Sequence, residues 1–476
     1  MAAYEISQIT DTTASDDFYA PLHLPPRISE DGSRIVFPEM LESGRPLYAI
    51  WLYDRSISDR PFQLTVYARG EEKILINEQP HISGDGRKII FSAEGYYTSE
   101  DKTGVYIYDI ETQSIRLVAE DQIHRGENGV ATPPEEGMRK RVTSSPRISR
   151  DGQWIVYLLT EHIGSGPPYH GYWLPTRQRL IHANITESAI RGGVVLDIAL
   201  DGSFGNGIRG LSISGNGRMI TFYGGGVISR LEVENLRMPP YETRRHPDTS
   251  GPTCDVYCYA VQARGGAEYA LRCIPDPQDT HSPLIVAHPY TAGINGLNVH
   301  NIQTQGPSIS NLGSRIALNA GLVLGSRNTG VYISEPFGGR THKVISFEEP
   351  PGDGPDNTVL TTGHVPAISP DGRWVAFQQT SLAFRHNYAN PDEYVEGQTY
   401  CPKIVQEKVV VQQIPRGETS TILDSGFDMG WVDYSSRPGV SISNEAECVA
   451  INTRRNPTGN NPDCSHEIFL ATLIPE

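Results

Sequence analysis

The sequence predicts an all-β protein: a single domain over residues 1–476, folded as a seven-bladed β-propeller of four-stranded antiparallel blades, with its ring closed by the N-terminal strand. Three observations lead there. A hairpin phrase recurs along the chain, and a second hairpin follows several of its copies. The 47 glycines and 35 prolines among 476 residues have no collagen-like period and suit short strands joined by tight turns. Six cysteines are too few for a disulfide scaffold, so apolar burial must supply the core.

The phrase is a strand end, a turn and a second strand. It reads Arg27-Ile-Ser-Glu-Asp-Gly-Ser-Arg-Ile-Val-Phe37 and returns at 81–91, 147–157, 212–222 and 367–377, with weaker copies at 308–318 and 441–451. Asp-Gly or Asn-Gly gives the positive φ of a tight hairpin turn, and the β-branched and aromatic residues on either side suit strands. Second hairpins are expected at 64–76, 105–118, 255–274, 330–345 and 408–423, which makes the repeating unit four antiparallel strands, A to D. A lone sheet of this kind cannot hide both faces, and radial stacking solves that. Only one clear strand, Glu467 to Leu473, follows the last copy; Tyr4 to Thr10 is expected to be its outer partner and to close the ring.

The Ile-Ser-Pro-Asp-Gly-Arg turn at Ile368 to Arg373 resembles the blades of TolB-like (WD40-like) propellers, and the resemblance covers nearly the whole chain. It implies fold and leaves function open, since such blades serve periplasmic binding proteins, peptidase gating domains and lyases.

The phrase serines, Ser29, Ser83, Ser149, Ser214, Ser310, Ser369 and Ser443, stand farther apart than the ~40 to 50 residues of compact propeller repeats. The excess falls between B and C (39–61, 224–252, 380–402) or between D and the next A (120–146, 276–306, 348–366, 424–438). In a four-stranded meander both kinds of connection lie at one end of the blade. The insertions are therefore expected to crowd one mouth of the ring and line a ligand pocket. They are rich in aromatic residues and histidine, and Tyr19, His23, Tyr290, His300, His364, Asp428 and Trp431 are the candidate substrate-binding residues.

Several chemistries are excluded. The formal charge is -16, and no basic run exceeds Met138 to Arg141, which argues against nucleic acid as a partner. No apolar run approaches the ~18 residues of a membrane span. There is no Gly-x-Ser-x-Gly, no P-loop, no His-Glu-x-x-His and no paired Cys-x-x-Cys, so no hydrolase, cofactor or metal is expected, and the partner is a small-molecule substrate. Acid–base and hydrogen-bonding chemistry remains. The residue before the repeat's isoleucine is Arg27, His81, Arg147, Ser212, Ser308, Ala367 or Ser441. Arg27, His81 and Arg147 are the catalytic candidates, with His81 moving a proton and the arginines clamping an anion or carbonyl. The alternative is that these side chains bridge neighbouring blades or face solvent at the opposite mouth.

If Gly265-Gly266 forms a turn, Cys258 and Cys273 face each other across a hairpin, either as a cross-strand disulfide or as two buried reduced thiols, and Cys401 and Cys464 could form another bridge. With the sequon at Asn184, these cysteines favour a secretory origin. The whole-chain look is similar to fungal hetero-Diels-Alderases of tropolone sesquiterpenoid biosynthesis. That resemblance implies a cofactor-independent cyclase that dehydrates a hydroxymethyl tropolone to a quinone methide and joins it to a terpene alkene. Arg and His would then bind the tropolone oxygens, and Tyr and Trp would enclose the terpene. The alternatives are a carbohydrate-active lyase or lectin, and a protein-interaction propeller.

Overall fold

The computed structural model describes residues 3–11, 25–40, 48–64, 80–93, 103–122, 139–164, 173–185, 190–200, 208–224, 227–233, 260–262, 268–270, 308–320, 330–335, 340–346, 357–363, 366–385, 403–415, 417–425, 439–453, 457–460 and 467–475. Strand β1 (Tyr4–Gln8) belongs to the last sheet. The first sheet has the order β2 (Arg27–Ile28), β3 (Arg34–Met40), β4 (Tyr48–Asp54), β5 (Phe62–Leu64). The second runs β6 (His81–Ile82), β7 (Lys88–Ala93), β8 (Gly104–Asp109), β9 (Ser114–Glu120), and the third β10 (Arg139–Ile148), β11 (Trp154–Gly164), β12 (Trp173–Ile185), β13 (Ile190–Ala199). The fourth copy builds three strands, β14 (Arg209–Ile213), β15 (Met219–Gly224) and β16 (Val227–Glu232), while β17 (Ala260–Gln262) and β18 (Glu268–Ala270) form a separate ribbon.

The next sheet is β19 (Ser308–Ile309), β20 (Ile316–Ala320), β21 (Gly330–Glu335), β22 (Arg340–Ser346). In the one after it, β23 (Asn357–Gly363) and β24 (Ala367–Ile368) both pair with β25 (Trp374–Arg385), followed by β26 (Lys403–Gln413) and β27 (Thr419–Asp424). The last sheet is β28 (Gly439–Ile442), β29 (Cys448–Thr453), β30 (Glu467–Leu473), with β1 outside β30 and Tyr4 opposite Leu473.

Two parts of the expected architecture are corrected. The described residues form six blades of four or more strands, where the sequence predicts seven, because β16 turns straight back from β15 inside the expected insertion 224–252 and the expected 255–274 hairpin joins no blade. Ring closure by the N-terminal strand is not shown either. Strand β1 is the outer edge of the last sheet, and the last copy meets the first through their turns, Asn444 N–H donating to Glu30 O at 2.7 Å, and through their first strands, β28 and β2. Other stretches set apart as insertions also hold strands, namely β4 within 39–61 and β23 within 348–366. The hairpins β8–β9, β21–β22 and β26–β27 lie where the sequence places them.

The turn phrase explains why the copies share one shape. At the second copy, Ser83 Oγ donates to Asp85 Oδ1 (2.5 Å) and accepts from Lys88 N–H (3.0 Å), while Asp85 Oδ1 also accepts from Arg87 N–H (3.0 Å). Gly86, at φ 72°, completes the turn in the left-handed region. In the last copy Glu445 and Ala446 adopt φ of 52° and 58° instead, at a cost of about 1 kcal/mol or more each.

The core lies between sheets. Val36, Leu52, Ile89 and Phe91 join the first and second sheets; Ile90, Val105 and Ile155 the second and third; Leu158, Leu196, Ile220 and Phe222 the third and the three-stranded sheet. Val411, Val449 and Phe469 join the five-stranded sheet to the last sheet, and Ile35, Phe37, Ala450 and Leu470 pack the last sheet on the first. Each such side chain, fully buried, stabilises by roughly 1.5–3 kcal/mol.

Candidate functional site

The first strands of the sheets lie innermost. Strand β2 touches β6, β6 touches β10, and β28 touches β2. Arg27, His81 and Arg147 hold one equivalent position on them: each precedes the phrase isoleucine and lies opposite Val36, Ile90 and Val156 on the following strand. The fixed length of the phrase sets this shared register, so three neighbouring strands carry their long polar side chains at one level. Arg147 is buried (8% exposed) and donates from Nη1 to Pro146 O at 2.8 Å; Arg27 and His81 are half-buried.

The three side chains feel one another. Burial and then the Arg147 guanidinium push Arg27 down to about 9. Burial, followed by Arg27 and Arg147, holds His81 well below the usual histidine range. At neutral pH the imidazole is therefore uncharged between two cationic neighbours. Its Nδ1 is shielded from solvent and has no hydrogen-bond partner among the described residues. Such a group can take up a proton, and an anion bound beside it would raise its affinity for one.

Serine at this position does something different. Ser441 Oγ accepts from Ile28 N–H and Ser308 Oγ from Ile368 N–H, both at 3.2 Å, so the hydroxyls stitch neighbouring first strands together. The serine copies thus bridge neighbouring first strands, while the Arg27–His81–Arg147 sector brings two guanidinium groups to the strands on either side of an imidazole.

The remaining sequence candidates, Tyr19, His23, Tyr290, His300, His364, Asp428 and Trp431, lie outside the described residues, as do Cys258, Cys273, Cys401 and Cys464. Among the described residues no group of three His, Cys, Asp or Glu side chains is placed to hold a metal ion, and Cys448 is a buried free thiol. Asn184 sits within β12, opposite Trp154 and Arg191.

Sequence reasoning missed the residues one turn further along. Glu30 Oε1 accepts from Asn311 Nδ2 at 2.7 Å, and Glu30 Oε2 pairs with Arg150 Nε at 2.6 Å. Burial raises the Glu30 carboxyl above the usual carboxylate range, and Asn311 and Arg150 offset only part of that rise. The signal was the fourth position of the phrase, where Gly84 and Gly215 alternate with these three larger residues.

No protein-family model and no curated protein matches the sequence. Solved structures do. An oligogalacturonate lyase in complex with manganese is similar over 100% of this chain and 99% of its own at TM-score 0.47 and 12% identity. The β-propeller domain of the Trilobed protease from Pyrococcus furiosus matches over 96% and 98% at TM-score 0.42 and 12% identity. The WD40 domain of SCAP from fission yeast matches over 98% of each chain at TM-score 0.38 and 11% identity. These neighbours are β-propeller proteins, and at such scores they say nothing of this chain's chemistry. The resemblance to hetero-Diels-Alderases is not shown by them. The propeller architecture here rests on the sheet order and turn hydrogen bonds described above.

Proposed function

We propose that this propeller is an enzyme acting on a small molecule that carries an anionic or strongly electron-rich oxygen, bound beside Arg27, His81 and Arg147. The observation that carries the reading is the placement of Arg27, His81 and Arg147 at one level of three adjacent innermost strands, where burial and the two guanidinium groups hold His81 well below the usual histidine range. The arginines suit an oxyanion, for which charge-assisted hydrogen bonds are about twice as strong as neutral ones. Neutral His81 suits proton removal. In an elimination, His81 takes a proton from the substrate, the electron pair left behind moves into the new double bond, and the leaving oxygen, a hydroxyl or a glycosidic alkoxide, departs with its bonding pair and takes the proton back from the imidazolium, leaving as water or an alcohol. The charge that develops on oxygen meanwhile rests on Arg27 and Arg147. Dehydration of a hydroxymethyl tropolone to a quinone methide is one reaction of this type, and a terpene alkene would then capture the product. The β-elimination of a uronic acid is another, with its carboxylate on the arginines; this is the lyase alternative.

The experiment is a thermal-shift and turnover screen against tropolones, terpenoids and uronic-acid oligosaccharides, with and without chelator, on the wild type and on His81→Ala. Stabilisation by an oxyanion-bearing compound in both proteins, with turnover only in the wild type, supports the reading. Stabilisation by neutral terpenoids alone sinks it.

A further inference from the structure

We infer that the ring axis is closed at its turn end by Glu30, Arg150 and Asn311, so that a ligand of the Arg27–His81–Arg147 site can reach it only from the opposite mouth. The closure stands on geometry of its own; the identity of the ligand rests on the function proposed above.

The turns of successive copies are hydrogen-bonded in series. Glu30 N–H donates to Gly84 O (2.9 Å), Asp85 N–H to Arg150 O (2.9 Å), Arg150 N–H to Gly215 O (3.0 Å), Asn216 N–H to Asn311 O (3.3 Å) and Asn311 N–H to Pro370 O (2.9 Å). The turn of the last copy joins that of the first through Asn444 N–H to Glu30 O at 2.7 Å. Glu30 and Asn311 are not neighbours in this series from either direction, yet their side chains meet at 2.7 Å across 281 residues of sequence. A bond between non-neighbouring turns of a ring must cross its middle. Arg150, on the turn between them, braces Glu30 from the solvent side with its own side chain 58% exposed, and the Glu30 side chain is 11% exposed.

The glycines show that this volume is filled. A Cβ at Gly84 would stand 2.5 Å from Glu30 Oε1 and 2.8 Å from Arg150 Cγ, and one at Gly215 would stand 2.2 Å from Asn311 Oδ1. Neither glycine has the positive φ of the turn glycines. What they provide is room: two copies give up their side chains so that the other three can meet over the axis. Arg27 and Arg147 precede Glu30 and Arg150 by three residues, the first pair on strands β2 and β10 and the second in the turns that follow, at most roughly 10 Å of chain, which puts the cationic sector just inside the closure.

The test uses the full chain and two variants, Glu30→Gln, which keeps the fold-friendly shape but loses the ion pair, and Glu30→Ala/Asn311→Ala, which empties the middle; thermal melting confirms that each is folded. The readout is the rate at which diethyl pyrocarbonate modifies His81, followed by peptide mass spectrometry, and the stopped-flow kinetics of tropolone as a probe. In the double variant the His81 rate is expected to rise at least about two-fold, with Glu30→Gln close to wild type. Tropolone association and dissociation should both quicken by one common factor, because a second route changes rates and leaves the equilibrium constant alone. An unchanged His81 rate in the folded double variant overturns the closure. If tropolone fails to bind while the His81 rate rises, the closure stands and the proposed ligand class falls.

Discussion

At His81, burial and two neighbouring cations set the ring's affinity for a proton. With Arg147→Met, one of the two cations holding the imidazole below its usual range is gone, so its titration midpoint should move upward; burial, the larger cause, remains, so the return is partial. Proton NMR of the His81 ring against pH measures this, and the same variant should weaken an oxyanion ligand by about ten-fold or more. The depressed histidine also predicts a pH dependence of stability. Its folded pKa lies below the ~6.5 of an unfolded histidine, so under mildly acidic conditions the unfolded chain binds the additional proton. Stability should therefore fall as pH drops below about 6.5, by up to about 1.4 kcal/mol per pH unit for each such group. His162, pushed down to about 4, and His182 act in the same direction. Melting temperatures from pH 7.5 to 5 should decline in the wild type, and less steeply in His81→Gln. At this scale the sequence is legible for Arg27, His81 and Arg147, because the phrase has one length and fixes their register. Glu30 and Asn311 are not legible: a variable position inside a turn looks like tolerated surface change until the partner across the ring is known.

At the level of elements, the turn phrase is the unit of information. Its serine and aspartate satisfy three backbone or hydroxyl donors in the strong copies, and the fifth copy breaks the pattern with Leu312, an exposed apolar residue where Asp or Asn belongs. There Ser310 Oγ meets Ser314 Oγ at 3.3 Å instead. Leu312→Asn should restore the fourth copy's arrangement, in which Asn216 Oδ1 accepts from Ser214 Oγ at 2.6 Å and from Arg218 N–H at 3.1 Å. The expected gain is about 0.5–1 kcal/mol, and Asp371→Ala should cost about as much; denaturant titrations read both. Strands next to the phrase are legible because its apolar alternation continues into them. Strands β4 and β16 are not, since spacing alone cannot distinguish a loop from a strand that turns back early.

The molecule as a whole is a ring of sheets whose core sits between neighbours, and the sequence conveys this through repetition. It overstates the regularity, since the fourth copy carries the phrase without completing a blade among the described residues. The axial brace belongs to this scale, because it joins residues that only the assembled ring brings together. Gly84→Ala should destabilise the wild type through its 2.5 Å approach to Glu30 Oε1 and be better tolerated in a Glu30→Ala background. A double-mutant cycle in melting temperature would show this as a coupling between the two sites.

The most direct test of the central claim is the His81 ring resonance followed during titration with tropolone and, separately, with digalacturonate, in wild type and Arg147→Met. The expected result is that one of these anions shifts the resonance and raises the His81 titration midpoint in the wild type, with much weaker binding in the variant. A ligand that stabilises the protein while the His81 resonance stays unmoved, or that binds Arg147→Met equally well, would place the site elsewhere and contradict the account.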